Sequence, residues 1–98
     1  MEVKENYLIG QVAKWLGIHD QTIRYYERRG LIKPNRDKNN IRHFSRNDVT
    51  RLTIIITLTI ELGMNLSGVK IVLELARKLK MNHDELLDFI LDHKSEFE

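Results

Sequence analysis

The sequence contains no cysteine, a single proline and only five glycines among its 98 residues. Without cysteine the chain can form no disulfide, no thiolate metal site and no thiol nucleophile, which agrees with a reducing cytoplasm. The few glycines make no phosphate-binding loop, and no nucleophile–base pair can be assembled from the sequence. We therefore do not expect an enzyme.

Long apolar segments are also missing. Residues 1–10 lack the apolar stretch of a signal peptide, and the apolar run at 52–62 is too short and too rich in threonine to span a bilayer. With 42% hydrophobic and 31% charged residues, the composition is typical of one globular domain with a modest core. The prediction is a cytoplasmic protein without a membrane partner.

Charge is unevenly distributed along the chain. Residues 1–51 hold eleven basic and six acidic residues, whereas residues 52–98 hold five and eight, within a net charge of +2. A basic front half is a candidate for contact with phosphates, since neutralising them releases counterions. Many basic faces are only solvated, so charge alone does not decide the function.

Two short helices are predicted near the start. Apolar residues recur at helical spacing over 9–17 and Gly17 offers a C-terminal stop. His19 and Asp20 separate this helix from a second one, which runs to Gly30. Two helices joined by a tight turn that contains glycine predict a helix-turn-helix.

A small hairpin is predicted next. Residues 31–34 and 41–44 are apolar ends around a polar middle, and Asn39 and Asn40 tolerate the positive φ of a turn.

Three further helices follow. Ser45 and Asp48 approximate a capping box that opens a third helix up to Gly63, even though residues 53–60 are strongly β-branched. Asn65 can cap a fourth helix that ends near Lys80. Its predicted inward residues are Val69, Val72, Leu73 and Leu79. A second capping box, Asn82 to Glu85, opens a last helix whose apolar residues are Leu86, Leu87, Ile90 and Leu91.

The second helix separates its adjacent tyrosines. Tyr26 falls on the inner side with Ile23 and Glu27, and Tyr25 falls on an outer side that is rich in hydrogen-bond donors. The outer residues are Gln21, Arg24, Tyr25 and Arg28. Such a face suits contact with phosphates and base edges, although a solvated helix face is an equally good interpretation of this helix alone.

The order of these motifs resembles the MerR family of winged-helix transcription regulators. The segments GQVAKWLGIH, QTIRYYERRGLIKP and NIRHFS are most similar to HspR-type heat-shock repressors, and the resemblance covers residues 7 to about 75 without a gap. It implies a mostly α-helical, winged helix-turn-helix fold with a small β-hairpin wing. It also implies a DNA-binding domain at 1–80 and a C-terminal dimerisation helix at 81–98.

The resemblance places the second helix in the major groove and the hairpin against the DNA backbone or minor groove. The implied contacts are Gln21, Thr22, Arg24 and Tyr25 on the helix and Arg42 on the wing. Two features depart from the family. His19 and Asp20 replace a Ser-type cap followed by a small residue, and the wing has fewer aromatic residues than many relatives have.

The implied function is repression of heat-shock and chaperone genes by a homodimer on an inverted repeat in double-stranded DNA, with a DnaK-type chaperone as co-repressor. The dimer would form by antiparallel pairing of the last helix. A stripe of Leu86, Ile90, His93 and Phe97, with Leu87 and Leu91 beside it, agrees with that role.

Other readings of the chain are a MerR-like activator, a phage-type excision factor, or an adaptor that binds a protein partner and no DNA. His83, Asp84, Asp88, Asp92 and His93 have the spacing of some metal sites, but we interpret them as the polar face of a surface helix and predict no metal or cofactor. Trp15 is interpreted as partly buried packing rather than as a base-stacking ring. Operator, half-site spacing and inducing signal do not follow from the sequence.

Overall fold

The computed structural model describes residues 6–98, and this part of the chain is mostly α-helical. The helices are α1 (Ile9–Leu16), α2 (Asp20–Arg28), α3 (Arg46–Ile56), α4 (Leu66–Lys78) and α5 (His83–Phe97), and α3 continues as a π-helical stretch over Thr57–Glu61. Strands β1 (Asn35–Arg36) and β2 (Arg42–His43) form an antiparallel hairpin. The chain divides into two compact units, one ending at Leu52 and the other running from Thr53 to Glu98.

The helix-turn-helix of the first unit is confirmed. Gly17 ends α1 with φ of +68°, a conformation that costs glycine little. Val12 of α1 and Ile23 of α2 are fully buried. Tyr26 of α2 is also buried, as predicted. The amphipathic spacing of both helices therefore places the apolar residues inside and leaves the polar face of α2 outside.

The first strand of the hairpin lies later in the chain than predicted, whereas the second lies within the predicted segment 41–44. Asn35 pairs with His43 and Arg36 with Arg42, so residues 31–34 do not form the first strand. Leu31 and Ile32 are buried instead, 1% and 3% exposed, because their apolar side chains contribute to the core. Asn40 takes the positive φ expected in the turn, at +65°.

The helix that begins after Ser45 forms despite its β-branched residues. The Ser45 hydroxyl accepts a hydrogen bond from the Asp48 N–H at 3.0 Å, and the Asp48 carboxylate accepts from the Ser45 N–H at 2.9 Å. This capping box confirms the predicted start. Further on, the Thr57 hydroxyl donates to the Thr53 carbonyl at 2.8 Å, so a buried polar group finds its partner within the helix.

Both caps predicted in the second unit are present. The Asn65 side chain accepts from the Gly68 N–H at 2.8 Å, and Asn82 and Glu85 form a reciprocal capping box with both distances at 2.8 Å. The prediction that Leu79 points inward is wrong, because it lies just after the last turn of α4 and is 66% exposed. No helix in residues 6–98 has the length and apolarity needed to cross a bilayer.

Candidate nucleic-acid interface

The start of α2 is fixed by the two residues that depart from the family pattern. His19 is the N-cap, and its Nδ1 accepts a hydrogen bond from the Gln21 N–H at 3.1 Å. Asp20 opens the helix, where a negative charge interacts favourably with the helix dipole, and its carboxylate lies 2.9 Å from the His19 ring. An imidazole thus replaces the hydroxyl that usually caps a helix.

The outer side of α2 carries the predicted contact residues. Tyr25 is 41% exposed, and Gln21 and Arg28 are also exposed, whereas Thr22 and Arg24 are partly buried. Buried Ile23 and Tyr26 hold the opposite side. The exposed side therefore offers an amide, a phenol and two guanidinium groups, which are the donors that base edges and phosphates accept.

Tyr25 is surrounded by two arginines. The guanidinium carbons of Arg28 and Arg29 each lie 5.9 Å from the centre of its ring, and an Arg29 Nη donates to the Tyr25 hydroxyl at 3.2 Å. Arg29 was missed by the sequence analysis, although its spacing of four residues from Tyr25 is the signal for such a pair. The cluster concentrates positive charge at the C-terminal end of α2.

Arg24 is weakly held. Its Nη2 lies 3.4 Å from the Asp20 carboxylate, and within residues 6–98 its buried Nε has no hydrogen-bond partner. Arg24 also lines a groove of about 550 Å³. The groove is lined by Leu8, Ile9, Gly10, Gln11, Arg24, Asn40, Ile41 and Arg42, so it brings the start of α1, the outer side of α2 and the hairpin together. A guanidinium with only one long ion pair keeps donors for an anionic group such as a phosphate.

The hairpin turn is organised by one carboxylate. Asp37 Oδ1 accepts from the N–H groups of Asn39 and Ile41 at 2.8 and 3.1 Å, and its Oδ2 lies 2.7 Å from His43 Nε2. The hydrogen bond from His43, together with those from the backbone, holds the pKa of Asp37 below its ordinary value. The turn is therefore braced by an ionised group.

Arg42 is not a free arginine on the wing. Its Nε donates to Glu27 Oε1 at 2.6 Å, and Arg36 donates to Glu27 Oε2 at 3.0 Å. The Arg42 side chain is only 19% exposed. Its contact with DNA stays a prediction, and any such contact must share the guanidinium with Glu27. The sequence pattern indicates no particular partner for Glu27, although a carboxylate on the inner side of a helix requires one.

Arg51 is a further basic residue that the sequence analysis did not single out. Its Nε donates to the Leu31 carbonyl at 2.6 Å, and burial lowers its pKa, an effect that the charge of Asp48 opposes. The bond fixes the segment that follows α2 and leads to the hairpin.

The predicted dimerisation residues fall into two groups. Leu86 and Ile90 are 5% and 4% exposed within the protomer, so their side chains already contribute to a core. Leu91 and Phe97 are about half exposed and Leu87 is intermediate. A concavity of about 400 Å³ in the second unit is lined by Leu58, Leu62, Met64, Val72, Leu86, Phe89, Ile90 and Phe97. The role of α5 in dimerisation stays a prediction.

Trp15 is more exposed than predicted. It is 56% exposed, and its ring meets that of Tyr7 edge-on with the centroids 4.8 Å apart. Residues 6–98 contain no group of three or more His, Cys, Asp or Glu side chains that could hold a metal ion. His93 instead lies 3.0 Å from Glu96 on the same helix.

A helix-turn-helix with a neighbouring β-hairpin and an exposed cationic helix face defines a winged DNA-binding fold. The family model of the MerR HTH family regulatory protein matches residues 7–76. The chain belongs to this family, which groups it with DNA-binding transcription regulators and not with enzymes.

Individual relatives agree with that assignment. The chain is 36% identical over 73 residues to the "Putative heat shock protein HspR" of Streptomyces coelicolor, covering 74% of this chain and 48% of the relative. The chain thus spans about half the length of that curated relative.

Two crystal structures share the fold. A MerR family transcriptional regulator from Bacillus thuringiensis has a TM-score of 0.64 and 25% identity, with 93% of this chain and 90% of that one covered. HiNmlR, a MerR family regulator lacking the sensor domain and bound to promoter DNA, has a TM-score of 0.60 and 21% identity, with 94% and 77% covered.

Proposed function

We propose that the protein is a sequence-specific repressor that binds an inverted repeat in a promoter as a homodimer. The observation that supports this most is the outer side of α2, where donor side chains are exposed next to a hairpin in the same unit. Two such helices related by a two-fold axis would enter successive major grooves of one face of the duplex. Occupancy of the promoter would then block transcription.

In this proposal some side chains of α2 and the hairpin contact DNA bases and others contact phosphates. Gln21, Thr22, Arg24 and Tyr25 contact base edges or nearby phosphates from α2, and Arg28 contacts the backbone. Arg42 contributes from the wing. Arginine and glutamine are suited to this because they bond bidentately to guanine and adenine edges in the major groove. Residues 1–80 would form the DNA-binding domain and 81–98 the dimerisation helix.

The controlled genes are proposed to be heat-shock and chaperone genes, with a DnaK-type chaperone as co-repressor in the bacterial cytoplasm. The similarity to the HspR relative of Streptomyces coelicolor supports this. A MerR-like activator or a phage-type excision factor would use the same interface and differ in its effect on transcription. An adaptor that binds only proteins would not need the donors on α2.

Salt dependence distinguishes DNA binding from the adaptor alternative. We expect affinity for any duplex to fall steeply as salt rises, with a slope of about −0.9 for each phosphate neutralised. Fluorescence titration of a labelled random duplex at several salt concentrations measures this. Selection of bound sequences from a random duplex pool then supplies the operator. Absence of duplex binding at low salt would favour the adaptor.

Replacing Arg24 tests its contact with a base. Arg24→Ala is expected to weaken operator binding by roughly 1–3 kcal/mol, because a bidentate bond to a base edge is lost. Helix content should stay unchanged, since the side chain is partly exposed and only weakly paired. Arg77→Ala on α4 removes the same charge from the second unit and serves as the control. Operator affinity that is unchanged in Arg24→Ala at fixed salt would remove Arg24 from the site.

A further inference from the structure

We propose that Glu27 is a positioning residue for DNA recognition, which fixes the hairpin against α2 by holding Arg36 and Arg42 with one carboxylate. The proposal rests on the proposed use of α2 and the hairpin as the DNA interface. It assigns a role to an acidic side chain between two arginines.

The two arginines are held in a geometry that requires an anion between them. Arg36 and Arg42 are directly paired across β1 and β2, so their side chains lie on the same face of the hairpin, where two like charges repel. Glu27 Oε2 accepts from Arg36 at 3.0 Å and Oε1 accepts from Arg42 at 2.6 Å. Each carboxylate oxygen of Glu27 accepts from an arginine of a different strand, so a single side chain of α2 bonds to both strands.

These ion pairs are partly shielded from water, the pair with Arg42 more than the pair with Arg36, whose side chain is 33% exposed. Glu27 is 20% exposed and Arg42 19%, so the charges attract one another more strongly than an exposed surface pair would. Burial raises the pKa of Glu27, but the hydrogen bonds and charges of Arg42 and Arg36 outweigh burial and leave the pKa below its ordinary value. Glu27 is therefore ionised at neutral pH.

The hairpin needs such an anchor. Its strands are two residues each, and an isolated two-stranded hairpin is marginally stable at best. Within the hairpin, Arg36 also donates to the Asn40 carbonyl at 3.1 Å, so the arginine that bonds to Glu27 also braces the turn. The bonds to Glu27 thus fix both strands, and through Arg36 also the turn, relative to α2.

A carboxylate here has a cost for DNA binding in general. It repels phosphates and offsets one of the two arginine charges, so a surface that served only to attract DNA would be better without it. Its benefit must lie in geometry: a fixed distance between the helix in the groove and the wing on the backbone favours one docked arrangement. Glu27 therefore lowers the affinity for random DNA and raises the ratio of operator affinity to random-DNA affinity.

Replacing the carboxylate gives two effects of opposite sign. In Glu27→Gln we expect affinity for a random duplex to rise, since a negative charge is removed. Operator affinity should fall, so the ratio of operator to random-DNA affinity drops roughly three- to tenfold, in line with the loss of partly exposed, charge-assisted hydrogen bonds. Competition titrations with operator and random duplexes of equal length, at one salt concentration, measure both affinities.

Two variants separate position from charge. Glu74→Gln removes an exposed carboxylate that pairs with Arg77 on α4, and should leave the ratio unchanged. Glu27→Asp keeps the charge with a shorter reach, so random-DNA affinity should equal that of the wild type while the ratio lies between those of the wild type and Glu27→Gln. The Nε–H resonance of Arg42 should show slow exchange with water in the wild type and faster exchange in Glu27→Gln.

The outcomes decide the proposal. A ratio that is unchanged in Glu27→Gln while random-DNA affinity rises would show that Glu27 acts only through its charge. If Glu27→Gln does not fold, as judged by circular dichroism, Glu27→Asp carries the same comparison. A wild-type protein that does not distinguish its selected operator from random DNA would refute the proposed DNA interface itself, a result independent of any variant.

Discussion

Replacing Leu91 and Phe97 of α5 with glutamate is expected to turn the proposed homodimer into a monomer and to lower operator affinity about 100-fold or more. Both side chains are about half exposed in the protomer, so the substitutions should leave each protomer folded. Sedimentation at micromolar concentration measures the dimer, and titration with the operator duplex at fixed salt measures binding.

The large loss of operator affinity is expected because a dimer binds two half-sites of the operator at once. A monomer would place only one α2 in one major groove, whereas a dimer makes its second contact at a high effective concentration. Half-exposed apolar side chains on a helix beside an open apolar concavity also lose unfavourable contact with water when a partner covers them. The proposed dimer therefore couples burial on α5 to operator affinity.

Leu91 and Phe97 are chosen because they are the exposed residues among those predicted to form the dimer interface. Substituting the buried Leu86 or Ile90 would remove core contacts and unfold α5 whether or not the protein dimerises. A matched control is Ile71→Glu on α4 with Leu79→Glu directly after it, which replaces two exposed apolar residues and adds the same charge. The α5 variant remaining dimeric, a monomer that binds the operator as tightly, or monomerisation by the α4 control would each contradict an interface on α5.

The local structure could be predicted where short-range hydrogen bonds determine it. Ser45, Asn65 and Asn82 each cap the helix that the sequence places after them, because a side-chain oxygen two or three residues before a free N–H is a local signal. The Ser45 capping box also explains why the β-branched stretch that follows is helical. The cap and the surrounding core outweigh the weak intrinsic preference of β-branched residues for strands.

Long-range pairing could not be predicted in the same way. Glu27 and Arg42 are fifteen residues apart, and their contact depends on a hairpin whose first strand begins four residues later than the apolar pattern indicates. The pattern failed because Leu31 and Ile32 are apolar for the core, not for a strand. The outer side of α2 was predictable from helical spacing, whereas the partners of the wing arginine were not.

Replacing Phe44 with alanine is expected to reduce the free energy of unfolding by about 3–5 kcal/mol. Phe44 is fully buried and belongs to the largest side chains of the core. Its loss removes apolar contacts and leaves a cavity that the rigid surroundings fill only in part. A protein of this size is stable by only about 5–15 kcal/mol, so much of the margin would be lost. Urea unfolding followed by circular dichroism measures the change.

Phe44 also connects the hairpin to the rest of the first unit. Its N–H donates to the Tyr7 carbonyl at 2.8 Å and its carbonyl accepts from the Tyr7 N–H at 2.9 Å, directly after β2 and before the cap of α3. Phe89→Ala, the same change at a half-exposed site on α5, should cost markedly less. Equal losses in the two variants would show that the Phe44 side chain is not a centre of the core.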